Sequence, residues 1–97
     1  MIQYFKCWGT QDIFYGVSSK DARKACPRKL RPIAARILDL LDSAEDFGDI
    51  KARSEDKLEK LTGDRAGQYS IRINQQYRIC FEWNDPGPFS VEIVDYH

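Results

Sequence analysis

Arg72, Arg78 and the closing run Asp95-Tyr96-His97 are the residues of this sequence best equipped for chemistry. A guanidinium is planar, stays charged, and meets phosphate oxygens with a fork of N–H donors. His97 is the single histidine and can exchange a proton near neutral pH. Asp95 can orient or polarise a neighbour. Tyr96 can stack on a flat ring or donate its hydroxyl. Each also has an ordinary reading. Either arginine can be a solvated strand residue paired with Glu82 or Glu92. His97 can be a frayed terminus, and Tyr96 an aromatic packed at a sheet edge.

Strands must position these groups. Tyr69, Ile71 and Ile73 alternate with Ser70, Arg72 and Asn74, and Tyr77, Ile79, Phe81 and Trp83 alternate with Arg78, Cys80 and Glu82. Period two over such runs is the pattern of half-buried antiparallel strands. Gln75-Gln76 and Asp85-Pro-Gly-Pro88 are turns, and Phe89 to His97 is a further strand. Arg72 and Arg78 then lie on the face opposite the core. Asp56 to Leu61 reads as a short strand leading through the turn Thr62-Gly-Asp-Arg-Ala-Gly67.

The apolar face needs a partner. Leu30, Ile33, Ala34, Ile37, Leu38 and Leu41 recur at helical period, which predicts a helix from about Pro27 or Pro32 to Ala44. Pro32 fits a first turn, so a start near Arg31 is expected. Met1 to Trp8 reads as a first strand. Thr10 to Tyr15 reads as a short helix with Thr10 as N-cap and Gly16 as terminator. Val17 to Ala25 reads as a linker, Phe47-Gly48 as the end of the helical region, and Lys51 to Asp56 as a loop. The order is strand, one or two helices, then a four-strand meander. Helices on one face of a small antiparallel sheet make an α+β domain spanning residues 1–97.

Ninety-seven residues make one small domain, and the formal net charge is zero, which argues against coating nucleic acid by charge alone. The charge is uneven. Lys20 to Arg36 holds seven bases against Asp21, and Asp39 to Glu59 is mainly acidic. Three cysteines without paired spacing make a disulfide framework or zinc site unexpected. No metal or cofactor is expected. With neither a leader nor an apolar run of membrane length, a soluble cytoplasmic protein with no membrane partner is expected.

The segment from Leu58 to His97 resembles the HigB-like toxins of the RelE/ParE superfamily. The matching residues are Leu61-Thr-Gly-Asp-Arg-Ala-Gly67, Tyr69-Ser-Ile-Arg72, Tyr77-Arg-Ile-Cys-Phe81 and Val91-Glu-Ile-Val-Asp-Tyr-His97. The resemblance implies a RelE-like fold and a toxin that enters the ribosomal A site and cleaves mRNA without a metal. It implies as partners a helix-turn-helix antitoxin of the HigA type, the ribosome and mRNA, and operator DNA through the antitoxin complex. It draws Arg78, Arg72, Asp95, Tyr96 and His97 toward catalysis. Some relatives carry histidine where this chain has Glu59 and lysine where it has Thr62. Glu59 can serve as a base but adds negative charge where a phosphate must sit. Lys60 and Arg65 are candidates to compensate, with Gln76 as a further RNA contact. A less cationic site predicts weaker cleavage. The alternative is a non-catalytic binder on the same scaffold, a gyrase poison or an antitoxin's partner only. The antitoxin is expected over the basic segment Lys20 to Arg36 or at the edge beside the first strand.

Overall fold

The computed structural model describes residues 1–96, so the expectations for His97 lie outside the described residues. The longest helix, α3 (Arg31–Ser43), carries the apolar stripe, with Ala34, Ile37, Leu38 and Leu41 buried. Pro32 sits in its first turn, where its missing N–H leaves no hydrogen bond unmade. Ile33 is left partly in water, so the buried stripe is narrower than the periodicity implied.

Three shorter helices accompany it: α1 (Trp8–Phe14) and α4 (Phe47–Arg53), which pack on α3, and α2 (Lys20–Ala25), which packs on α1. The expected linker from Val17 to Ala25 is therefore part helix. The Ser19 hydroxyl starts α2 by accepting from Ala22 N at 3.0 Å. Phe47-Gly48 opens a helix instead of ending one. There the Asp46 carboxylate accepts from Asp49 N at 2.8 Å, satisfying a free first-turn donor. The expected loop at Lys51 to Asp56 begins as the last turn of α4. Gly16 ends α1 as expected, at φ 73°, a conformation that costs glycine little. Gly9 is fixed by packing, because a β-carbon there would collide with the carbonyl oxygen of Asp21 and crowd Ala25 on α2.

The sheet is an antiparallel meander of β1 (Leu58–Lys60), β2 (Tyr69–Arg72), β3 (Tyr77–Asn84) and β4 (Gly87–Asp95), in the order β1-β2-β3-β4. Asn74 closes the β2–β3 turn by accepting from Gln76 N and Tyr77 N. The register sets Leu58, Ile71, Ile79 and Ile93 in one row across the sheet. The last three of these are buried, and with Phe81 and Val91 they share one core with Ala34, Leu38 and Leu41 of α3 and Ile50 of α4. Burying a side chain of this size stabilises by roughly 1.5–3 kcal/mol.

The opening segment is not a regular strand. It runs parallel to β4 with one bridge, Phe5 to Val91, and with backbone bonds at Gln3–Pro88, Lys6–Val91 and Val91–Tyr4. Its partner stretch explains this. Pro88 lacks an N–H, and β4 bulges opposite Cys80 to Glu82, with Ser90 at φ 52°. Beyond the bulge α1 takes over the edge. Thr10, expected as a cap, lies fully buried inside α1, and its hydroxyl accepts from Ile93 N at 2.9 Å. The N-cap position belongs to Cys7. Thr10→Val keeps the shape and strands a buried β4 donor. It should cost about 1–3 kcal/mol, seen as a fall of several degrees in Tm. An unchanged Tm would show that this bond carries no stability.

Candidate functional site

On the sheet face away from α3, the register places Glu59, Ser70, Cys80 and Glu92 in one row and Arg72, Arg78 and Val94 in the next. Arg72 and Arg78 are direct cross-strand neighbours. Like charges in that relation repel by tenths of a kcal/mol or more, and an anion between them would relieve the repulsion.

Arg78 is the best-held of the pair. Its Nη1 donates to Glu59 Oε2 at 2.8 Å and to Ser70 Oγ at 3.2 Å. The Tyr96 ring covers the guanidinium, with Cζ 4.8 Å from the ring centroid. Its side chain is 15% exposed against 55% for Glu59, so a half-sunken cation is met by a carboxylate reaching in from solvent. Arg78 Nε is buried and has no hydrogen-bond partner among the described residues. Leaving such a donor unmet costs on the order of 1–3 kcal/mol. That donor is closed off from solvent, so an arriving phosphate would meet the guanidinium from the Glu59 side. Arg72 is exposed and forms no ion pair among the described residues.

A second ionic group lies at the Glu92 end of the first row. Glu92 Oε1 receives Arg65 Nη1 at 3.2 Å and Lys6 Nζ at 3.6 Å, and Arg65 also donates to Gln68 Oε1 at 3.0 Å. Between the two groups Cys80 is fully buried. Burial pushes its thiol up, and Glu92 adds to this; Arg65, Arg78 and Lys6 pull the other way without cancelling the rise. A neutral thiol is not a nucleophile.

The expected site residues are gathered unevenly. Arg78, Glu59, Tyr96 and Arg72 share the face. Ser70 joins them without having been singled out. Its place alternating with Ile71 beside Arg72 was the available signal. The ordinary pairing of Arg78 with Glu82 or Glu92 gives way to Glu59, because β1 places that carboxylate across Ser70. Asp95 pairs with Tyr77 in the register and so lies on the opposite pleat from Tyr96. It accepts from Gln76 Nε2 at 3.1 Å, while Gln76 O accepts from Tyr96 N at 2.6 Å. The terminal run is therefore divided, with Asp95 and Gln76 bracing the strand end that sets Tyr96 over Arg78. Arg65 is engaged by Glu92. Lys60 pairs with Tyr69 and falls on the α3 side of the sheet, so it is not brought to this face. No group of three or more potential metal-ligating side chains occurs among the described residues. No described helix is long and apolar enough to cross a membrane.

Known proteins resemble this chain in sequence and in architecture. Residues 10–97 match the family model for the RelE-like toxin of type II toxin-antitoxin system HigB. Toxin HigB-1 of Vibrio cholerae is 36% identical over 59 residues, which span 61% of this chain and 62% of the relative. Endoribonuclease HigB of Proteus vulgaris is 29% identical over 102 aligned positions that cover both chains completely. Among solved structures, a chain of the YoeB-YefM complex from Staphylococcus aureus superposes with TM-score 0.56 at 22% identity, covering 100% of this chain and 95% of that one. That last likeness is one of fold, an α+β arrangement of helices with a four-strand antiparallel sheet. With the family match covering nearly the whole sequence, this chain belongs to the HigB-like toxins, the RelE-like toxins of type II toxin–antitoxin systems.

Proposed function

We propose that this chain is an endoribonuclease toxin that cuts mRNA on the ribosome, using Arg78 as the phosphate anchor. The observation that carries this reading is the Arg78 guanidinium, half-sunken, covered by Tyr96 and set directly across the strands from a second cation, Arg72. In the proposed reaction a ribose 2′-oxygen attacks the adjacent phosphorus and the P–O5′ bond breaks. A cyclic phosphate and a free 5′-hydroxyl result. Charge builds on the phosphate oxygens, and Arg78, aided by Arg72, meets it without a metal. Glu59 is the carboxylate nearest that anchor and is assigned to take the 2′-OH proton once the phosphate displaces it from Arg78. His97 is assigned to protonate the leaving oxygen, since its side chain exchanges protons near neutral pH. Asp95 and Gln76 are positioning residues.

The ribosome enters this reading because a small open sheet face on a chain of zero net charge cannot order RNA by itself. The neutralising partner is proposed to be a helix-turn-helix antitoxin, and the pair to bind operator DNA through it. The Staphylococcus structure is itself a complex, YoeB-YefM. Cytoplasmic residence follows from a ribosomal target. One observation favours a second reading: Glu59 already neutralises Arg78, which suits a non-catalytic binder. Induced expression followed by primer extension on cellular mRNA separates the two. Discrete cuts that vanish when translation is blocked are expected. Growth arrest with DNA damage and intact mRNA would replace the nuclease by a gyrase poison.

A further inference from the structure

Beside β4 the surface carries a feature that the proposed site does not use. Trp8 is 70% exposed, although an indole of its size usually finds cover. It borders an open hollow of about 410 Å³ together with Lys6, Cys7, Lys24 and Ile93, with Asp21 also on the rim. Gly9, which follows Trp8, is pinned against α2, so the backbone holding the indole is fixed. Lys6 links the hollow to the catalytic face, because its ammonium reaches Glu92 in the row that also holds Cys80, Ser70 and Glu59.

We propose that Trp8, Lys6 and Lys24 form a second RNA subsite. One unpaired base stacks on the Trp8 ring, and the flanking phosphates lie against the two ammonium groups. This rests on the reading of Arg78 as a phosphate anchor and extends it along the strand. An exposed aromatic between cations is what single-stranded nucleic acid requires, since every base has a face to stack and every linkage has a charge. The spacing agrees. Lys6 lies on the segment bridged to β4 near Val91 and Arg78 lies on β3 opposite Val94, so their backbones are roughly 10 Å apart across the sheet at ordinary strand separation, with a further offset along it. A few nucleotides of extended RNA cover that distance. The subsite therefore holds RNA flanking the scissile bond and takes no part in breaking it. A protein partner on Trp8 alone would not require two lysines on a rim that holds one acid, Asp21.

The test is a titration of ¹⁵N-labelled protein with a five-nucleotide single-stranded RNA, 2′-O-methylated so that it cannot be cut, at low salt. The chain has two tryptophans, so its two indole N–H signals separate directly, and Trp8→Phe assigns them. The Trp8 indole should shift on binding while that of Trp83, packed on Phe47, stays put. Trp8→Ala should weaken binding about tenfold, and Lys6→Ala severalfold, with both proteins folded because both side chains are largely in solvent. An unmoved Trp8 signal, with binding lost only in Arg78→Ala, overturns the subsite and leaves the anchor standing. Binding indifferent to Trp8 and Arg78 alike overturns both. A Trp8→Ala protein that binds RNA normally but no longer captures its antitoxin turns the patch into a protein interface and rejects the RNA proposal.

Discussion

Arg78→Ala is expected to lower mRNA cleavage by about 10²–10³-fold, the loss typical when one preorganised charge partner of a transition state is removed. Growth arrest on induction should disappear with it. The fold should survive. Arg78 contributes one ion pair that is open to solvent on the Glu59 side, and Glu59 can rehydrate when released. Arg78→Lys is the informative companion. Lysine keeps the charge but presents a point in place of a fork, so partial activity is expected, well below the parent. The change must be read beside a melting curve, because Tyr96 also loses the cation under its ring. Cleavage within threefold of the parent in a folded Arg78→Ala protein would remove the anchor and the mechanism built on it.

Glu59→Gln is the second large effect, and its two parts run in opposite directions. In the resting protein the carboxylate lies 2.8 Å from Arg78 Nη1, where a phosphate oxygen must come. Removing its charge should tighten RNA binding severalfold, most clearly at low salt where competition between anions is least screened. The same substitution removes the proposed base, and general-base catalysis typically contributes 10²–10⁴-fold. The rate with RNA bound should therefore fall by about that much while the half-saturating concentration also falls. Single-turnover cleavage across a range of ribosome–mRNA concentrations reads both quantities. Faster turnover in Glu59→Gln would show that the carboxylate only obstructs the site and that another group takes the proton. Weaker binding would show that it positions Arg78 for RNA.

Much of this architecture was legible in the residues. Strict alternation in Tyr69–Arg72 and Tyr77–Asn84 fixed which side chains share a face, because a strand has no other way to distribute them. The stripe on α3 was also legible, though its start stayed open between Pro27 and Pro32 and Ile33 fell outside the buried face. Short helices were harder. The segments at Lys20–Ala25 and Phe47–Arg53 have too few apolar residues to show a period, and packing on neighbours makes them helical. The opening segment had strand composition, yet proline and a bulge on β4 denied it a regular ladder, and composition says nothing about a partner's irregularities.

The candidate site divides in the same way. The sequence by itself put Arg72, Arg78, Ser70 and Glu59 on strands and set the parity of β2 and β3, though not that of β1. Only the tertiary structure decided that Glu59, not Glu82 or Glu92, meets Arg78, that Tyr96 covers it while Asp95 turns to Gln76, and that Lys60 looks the other way. The physical reason is register. Alternation says which face a side chain takes, but hydrogen bonds between strands and the turns that join them decide which residues stand opposite one another. A slip of one residue between β1 and β2 would exchange Glu59 for Lys60 beside Arg78, reversing the charge at the phosphate site.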